Sequence, residues 1–347
     1  MTRTKNDAAG RSLSGTGPVS RREALRLGGA VTAVTVLSPG IARAQAPKRL
    51  RFAHPAPMAH GWHIWAENFK TSFEGMTDKR FVVQLFPDAQ MGNERDTAQA
   101  VRLGSIEMGA IGVGLMNWVP QMSVTDAPFL WKSRAHAYAA IEGPFGDALR
   151  KAALEKGFRL VGWTDLGFRC MTNNVKVIKS ADDMKGLKMR VPNAKAYIAL
   201  MQALGSSTVA VDLSELYLAL RQGVADGQDT PPSVVKSNKL YEVQKFVSKT
   251  DHVLTTAYVV ANPAFFDGLS AADKEAFLKS SSAADDHLRK HTQADEAKAY
   301  GFLGDHGMQV TTDVDGDSFR RAAASVLSDN PDLFPPELVK IAQAVSA

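Results

Sequence analysis

Arg190 closes a short run, Lys188-Met189-Arg190-Val191, just before Pro192-Asn193. A guanidinium fork donates two parallel hydrogen bonds to a carboxylate, which adds energy and fixes orientation. In open α/β sheets, ligands sit beyond the carboxyl ends of the strands, so this position suits capture of an acid. By residue type alone the commoner case is a solvent-facing strand arginine paired with an acid, and both readings of Arg190 stand at this point. Arg169, in Gly167-Phe168-Arg169-Cys170, lies on a second strand-like segment. His54 with Pro55, and Asn93 with Glu94, fall in loops after strand-like runs, where binding groups concentrate. Asp212, just before Ser214-Glu215, is open to two uses. It could accept hydrogen bonds from ligand hydroxyls, or it could stabilise the start of the following helix.

Other chemistries find less support. His54, His60 and His63 invite a metal reading, because His60 and His63 could share one helical turn. No His-Glu-x-x-His occurs, however, and isolated histidines are more often structural, so no metal ligand is assigned. Gly112-Val113-Gly114 lacks the third glycine of a dinucleotide loop, and neither a Gly-x-Ser-x-Gly elbow nor a phosphate-binding loop is found. No catalytic residue and no cofactor is therefore expected. Cys170 is the single cysteine, which excludes an intrachain disulfide and a cysteine-rich metal site; it is expected to be buried and inert.

The elements that must position these residues alternate between strand and helix. Leu50–Ala53, Phe81–Phe86 and Glu107–Ile111 read as strands, separated by helices over His60–Glu74 and Glu94–Leu103. In the first helix Trp62, Trp65 and Phe69 lie near one face and are expected in the core. This order predicts an α/β layer with a parallel sheet. The pattern then restarts: strands over Leu160–Trp163, Arg169–Thr172, Lys188–Val191, Ser207–Val211 and Leu254–Val260, helices over Ala194–Leu204 and Ser214–Gln222, and a long polar helix from Ser270 to about Leu303. Two α/β units with shared crossings fit this better than one large domain.

Residues 1–44 read as a cleaved export signal. Arg21-Arg22 resembles a twin-arginine pair, although Ala24 stands where a bulky apolar residue is usual, so general secretion stays open as the route. Leu27–Ser38 is modestly apolar and too short to span a membrane. Pro39-Gly40 and Ala42-Arg43-Ala44 place the cleavage after Ala44. This segment holds seven of the 41 Lys and Arg residues and two of the 36 acids, leaving 34 of each in the remaining chain. The basic balance of the whole sequence thus belongs to the leader and is no argument for nucleic-acid binding.

Several segments resemble the periplasmic binding subunits of tripartite ATP-independent periplasmic (TRAP) transporters, the DctP-like family. The strongest block is Gly186-Leu187-Lys188-Met189-Arg190-Val191-Pro192-Asn193, followed by Ser214-Glu215-Leu216-Tyr217-Leu218-Ala219-Leu220-Arg221-Gln222-Gly223 running on to Asp229, and then Lys239-Leu240-Tyr241-Glu242. Phe86-Pro87-Asp88-Ala89-Gln90-Met91-Gly92-Asn93-Glu94 and Ala127-Pro128-Phe129-Leu130 add support upstream. The resemblance implies a two-lobed periplasmic binding protein clamshell of α/β class, with a ligand cleft between the lobes and a long bracing helix. On that plan residues 45–166 with about 256–295 form lobe I, and residues 167–255 with about 296–347 form lobe II. It also implies a small organic acid as ligand, integral membrane transporter subunits as partners, and a periplasmic binding function rather than an enzyme. Arg190 becomes the main carboxylate-binding arginine and Arg169 a second one. Thr230 occupies the place of an asparagine that often binds ligand, and Leu213 the place of a common aromatic, so a stacking surface is not expected there. Two alternatives are an exported cofactor enzyme, for which no cofactor fingerprint is found, and a binding partner of a chemoreceptor.

Overall fold

Local signals set the helices that later carry the site. Helix α1 (Gly61–Met76) begins at His60, whose ring accepts the backbone N–H of Trp62, and it buries Trp62, Trp65, Ala66, Phe69 and Phe73 at helical spacing. Helix α2 (Glu94–Leu103) opens with a reciprocal capping box between Asn93 and Asp96 and ends at Gly104, which adopts the left-handed conformation. The computed structural model describes residues 46–345; the expected leader and its cleavage site lie outside the described residues.

The strands form two sheets. The first contains β1 (Lys48–Ala53), β2 (Phe81–Phe86), β3 (Met108–Ile111), β4 (Arg159–Phe168) and β10 (Leu254–Ala261), in the order β2-β1-β3-β10-β4. The second contains β5 (Cys170–Asn173), β6 (Lys188–Val191), β7 (Ser207–Ala210), β8 (Gly227–Thr230), β9 (Phe246–Ser248) and β11 (Gln309–Thr311), in the order β11-β9-β5-β8-β6-β7. The parallel sheet expected from the sequence holds only for β2-β1-β3, because β10 inserts antiparallel to both β3 and β4. In the second sheet β6 is parallel to β7 and β8, while β5 is antiparallel to β8 and β9.

The chain passes between the sheets at places that matter for the site. Arg169 is the single residue between β4 and β5, not the first residue of a strand as its sequence suggests. Its backbone N–H donates to Val253 O (2.9 Å) on the returning segment between β9 and β10, so the two crossings are tied together. Gly167, two residues earlier, has φ +112°, a conformation that side-chain-bearing residues rarely adopt.

The third crossing is the long helix Ala271–Asp305. Its 35 residues reach about 50 Å at 1.5 Å per residue. At one end Phe277, Ala284 and Leu288 join the core formed by β1, β2 and α1; at the other, Leu303 packs with Cys170, Leu216 and Leu240 beneath the second sheet. Asp285 fastens its middle by accepting Trp65 Nε1 (2.7 Å) and Trp163 N (3.1 Å). Among the described residues no helix is long and apolar enough to cross a membrane.

Phe277 is fully buried, with its ring 5.0–5.4 Å from those of Phe69, Phe73 and Phe266. Replacing it by Ala removes the long helix's main anchor on the first sheet. We expect Phe277→Ala to lower stability by about 3–5 kcal/mol in equilibrium urea unfolding.

Candidate functional site

Residues from both sheets meet around two adjoining cavities. The outer one, about 350 Å³, is lined by Glu94, Val113, Gly114 and Asn117 from one side and by Arg190, Pro192, Asn193, Asp212 and Leu213 from the other. The inner one, about 40 Å³, shares Glu94, Val113, Arg190, Pro192 and Leu213, and adds His60, Trp62, Arg169, Thr230 and Thr255 among others.

Arg190 projects from β6 and is 2% exposed. Its Nε and Nη2 both donate to Val211 O (2.8 and 2.6 Å), while Nη1 has no protein partner among the described residues. Among the described residues no carboxylate lies within ion-pair distance of it. Burial and the neighbouring Arg169 pull its pKa down to about 10, against the weaker pull of Asp229, Glu94 and Asp212. It remains charged at neutral pH, in surroundings that disfavour that charge.

Arg169 is handled in the opposite way. Its Nε donates to Asp229 Oδ2 (2.6 Å), its Nη2 to Asp229 O, and its Nη1 to Thr255 Oγ1 (3.0 Å). The face of its guanidinium lies 4.5 Å from the ring of Tyr197. His252 Nε2 reaches the same carboxylate at 3.2 Å. Burial alone would raise the pKa of Asp229, but Arg169 and His252 outweigh it and hold the carboxyl well below its usual range. All three nitrogens of Arg169 are thus engaged by protein, which leaves Arg190 with the free donor.

Across the outer cavity the charge is reversed. Glu94, the first residue of α2, accepts the N–H of Gly114 (2.8 Å), and burial raises its pKa. Asp212 accepts Asn93 Nδ2 (2.8 Å), while Asn93 Oδ1 caps α2 by accepting Asp96 N (3.0 Å). One amide therefore caps a helix on one side of the cleft and bonds to the other side. Asn117 Nδ2 makes a second bridge, to Asn193 O (2.6 Å). Exposed Arg95 stands at the mouth.

Of the residues singled out in the sequence, Arg190, Arg169, Glu94, Asp212, Leu213 and Thr230 line these cavities, and Asn93 joins them through Asp212. His54 does not. It is 1% exposed, bonded to His63 Nδ1 (3.1 Å), and lines neither cavity. The neighbouring residues that do border the inner cavity are His60 and Trp62, which the sequence had suggested as a metal candidate and a core residue. The one hint was position: both sit where α1 begins, directly after the loop that follows β1. Cys170 is buried and free, and burial pushes its thiol pKa far up. Among the described residues no cluster of three or more His, Cys, Asp or Glu has the arrangement of a metal site.

Comparison with known proteins agrees with this architecture. The family model DctP, bacterial extracellular solute-binding protein family 7, matches residues 52–330. A solute-binding protein of Verminephrobacter eiseniae is 37% identical over 75% of this chain and 78% of its own. The 2,3-diketo-L-gulonate-binding periplasmic protein of Escherichia coli is 33% identical over 82% of this chain and 87% of its own. Among solved structures, a TRAP periplasmic solute-binding protein of a Polaromonas species, bound to D-erythronate, superposes with a TM-score of 0.83 at 34% identity, covering 86% of this chain and 99% of that one.

Removing the partner of Arg169 strands a buried cation. Asp229→Asn should cost about 3–5 kcal/mol at pH 7, read by urea unfolding. Because the folded pKa of Asp229 is depressed, its contribution is complete above an unfolded value of about 4 and fades as the pH falls toward the folded value. The gap between wild type and variant should therefore hold from neutral pH to about pH 4 and narrow only in stronger acid.

Proposed function

We propose that this chain, which belongs to the DctP family of bacterial extracellular solute-binding proteins, captures a small hydroxylated monocarboxylate in its cleft and hands it to the integral membrane subunits of a transporter. Members of the family are periplasmic binding proteins rather than enzymes. The observation that carries the proposal is Arg190: a buried guanidinium whose Nη1 is free and which has no carboxylate partner among the described residues. An entering carboxylate supplies the missing counter-charge in a site of low dielectric, where a charge-assisted hydrogen bond is at its strongest.

The preference for one carboxylate and several hydroxyls follows from the outer cavity. Glu94 and Asp212 are acceptors in their ionised form and suit hydroxyl donors. A second carboxylate turned toward them would meet like charge. The Polaromonas relative, bound to the hydroxylated acid D-erythronate, supports the same class.

The cleft residues fall on two α/β lobes, taken as residues 45–166 with about 256–295 and residues 167–255 with about 296–347. Asn93, Glu94 and Asn117 would act from the first, and Arg190, Asp212, Leu213 and Thr230 from the second. Ligand that touches both favours the closed arrangement, because only that arrangement offers both sets of contacts. Passage through the bilayer would fall to the integral membrane subunits that the family implies.

Truncating one partner of a buried hydrogen-bonded charge pair costs about 2–5 kcal/mol. Arg190→Ala should therefore weaken calorimetric binding of D-erythronate roughly 30-fold to several thousand-fold, in a variant whose unfolding midpoint shows it to be folded. A change below about threefold would remove Arg190 from its role. In the wild type the neutral amide of the same acid should not compete, and succinate should bind about tenfold or more weakly than D-erythronate. Succinate binding as tightly would contradict the assignment of Glu94 and Asp212 to hydroxyls.

A further inference from the structure

The inner cavity has a feature that the carboxylate reading does not use. Three of its lining residues carry a buried polar atom with no protein partner among the described residues: His60 Nε2, Trp62 Nε1 and Thr230 Oγ1. The residues are 1%, 3% and 4% exposed. Buried polar groups are normally satisfied, so several orphans around one cavity call for a reason.

Their chemistry is uniform. The indole Nε1–H of Trp62 can only donate. His60 Nδ1 accepts the backbone N–H of Trp62 (3.2 Å), so Nδ1 carries no proton. Burial, followed by the influence of His54, lowers the His60 pKa to about 3, so the ring is neutral. Its one proton therefore sits on Nε2, which is a donor. The two rings stand edge to face with centroids 4.7 Å apart. Trp62 is fixed by close packing: a Cβ added at Gly112 would meet Trp62 Cζ2 at 2.8 Å and Glu94 Oε2 at 3.4 Å. The indole and the acidic wall of the outer cavity thus flank the same glycine.

The cleft consequently has a polarity. Of the two cavities, His60, Trp62 and Thr230 line only the inner one, Asp212 only the outer one, and Arg190 and Glu94 border both. We propose that His60 and Trp62 are ligand-binding residues, a pair of N–H donors that holds a carboxylate oxygen beside Arg190 and so makes the acid enter carboxylate first. This rests on the reading of the cleft as a carboxylate site. It adds specificity by geometry, since leaving both donors unpaired penalises any ligand whose inner end lacks an acceptor.

Two substitutions separate donor from fold. Trp62→Phe keeps an aromatic ring and removes the N–H together with part of the indole, so its unfolding midpoint is measured alongside its affinity. His60→Asn keeps an N-cap acceptor for α1 and removes the Nε2 donor. Titrating D-erythronate and L-galactonate into the purified protein, we expect each variant to bind roughly 10- to 100-fold more weakly, the scale of one hydrogen bond to a charged group. In the ¹⁵N-indole spectrum of the wild type, the resonance absent from Trp62→Phe should move as the acid saturates the site. Unchanged affinity in both variants, or a Trp62 indole resonance that stays still while Arg190-dependent binding proceeds, overturns the donor pair and leaves the carboxylate site intact. Binding that is indifferent to Arg190→Ala, or no binding of either acid, brings down the underlying reading and this proposal with it.

Discussion

Burying a guanidinium costs free energy unless its charge is met, and the floor of this cleft is organised by how two such groups are treated. Arg169 is met completely: a carboxylate, a backbone carbonyl and a threonine hydroxyl take its three nitrogens. Arg190 is met by a single backbone carbonyl and no acid. The two depend on each other, since Arg169 depresses the pKa of Arg190. Were Asp229 not beside it, the full positive charge of Arg169 would act on its neighbour. The Asp229 pair thus acts beyond its own stability: its negative charge offsets that of Arg169 and raises the pKa of Arg190.

Arg169 also stands where the chain changes sheets. As the single residue between β4 and β5, it is held to the returning segment through Val253 and to the second sheet through Asp229. The electrostatic anchor of the site and the junction of the two halves are therefore one residue. On the open side of the cleft the halves meet through two amide hydrogen bonds, Asn93 to the Asp212 carboxylate and Asn117 to the Asn193 carbonyl. Such contacts contribute about 1–3 kcal/mol each, which is suited to an arrangement that a ligand biases rather than one that is locked.

The sequence revealed much of this and concealed specific parts. The strand of Arg190 and the following Pro192 were legible locally, but its choice over an ordinary surface arginine came from the resemblance of the surrounding block. The fate of Arg169 was not legible locally, because its partner lies 60 residues away on a strand that pairs with its own only in the folded state. The antiparallel insertion of β10 escaped for the same reason: an apolar run does not encode the direction of its neighbours. β9 and β11, three residues each, are too short to show alternation. His54 and His60 flank the same loop, and only the packing of α1 turns one against His63 and brings the other to the cavity. Trp62 has the spacing of a core residue and is as buried as one, so its orphan N–H could not have been seen without its neighbours.

The most direct test of the account is a crystal structure of the protein with D-erythronate. The account predicts the carboxylate within hydrogen-bond distance of Arg190 Nη1, at the inner end of the cleft, with the hydroxyls toward Glu94 and Asp212. A carboxylate held elsewhere, or the ligand reversed so that Arg190 faces only hydroxyls, would contradict it.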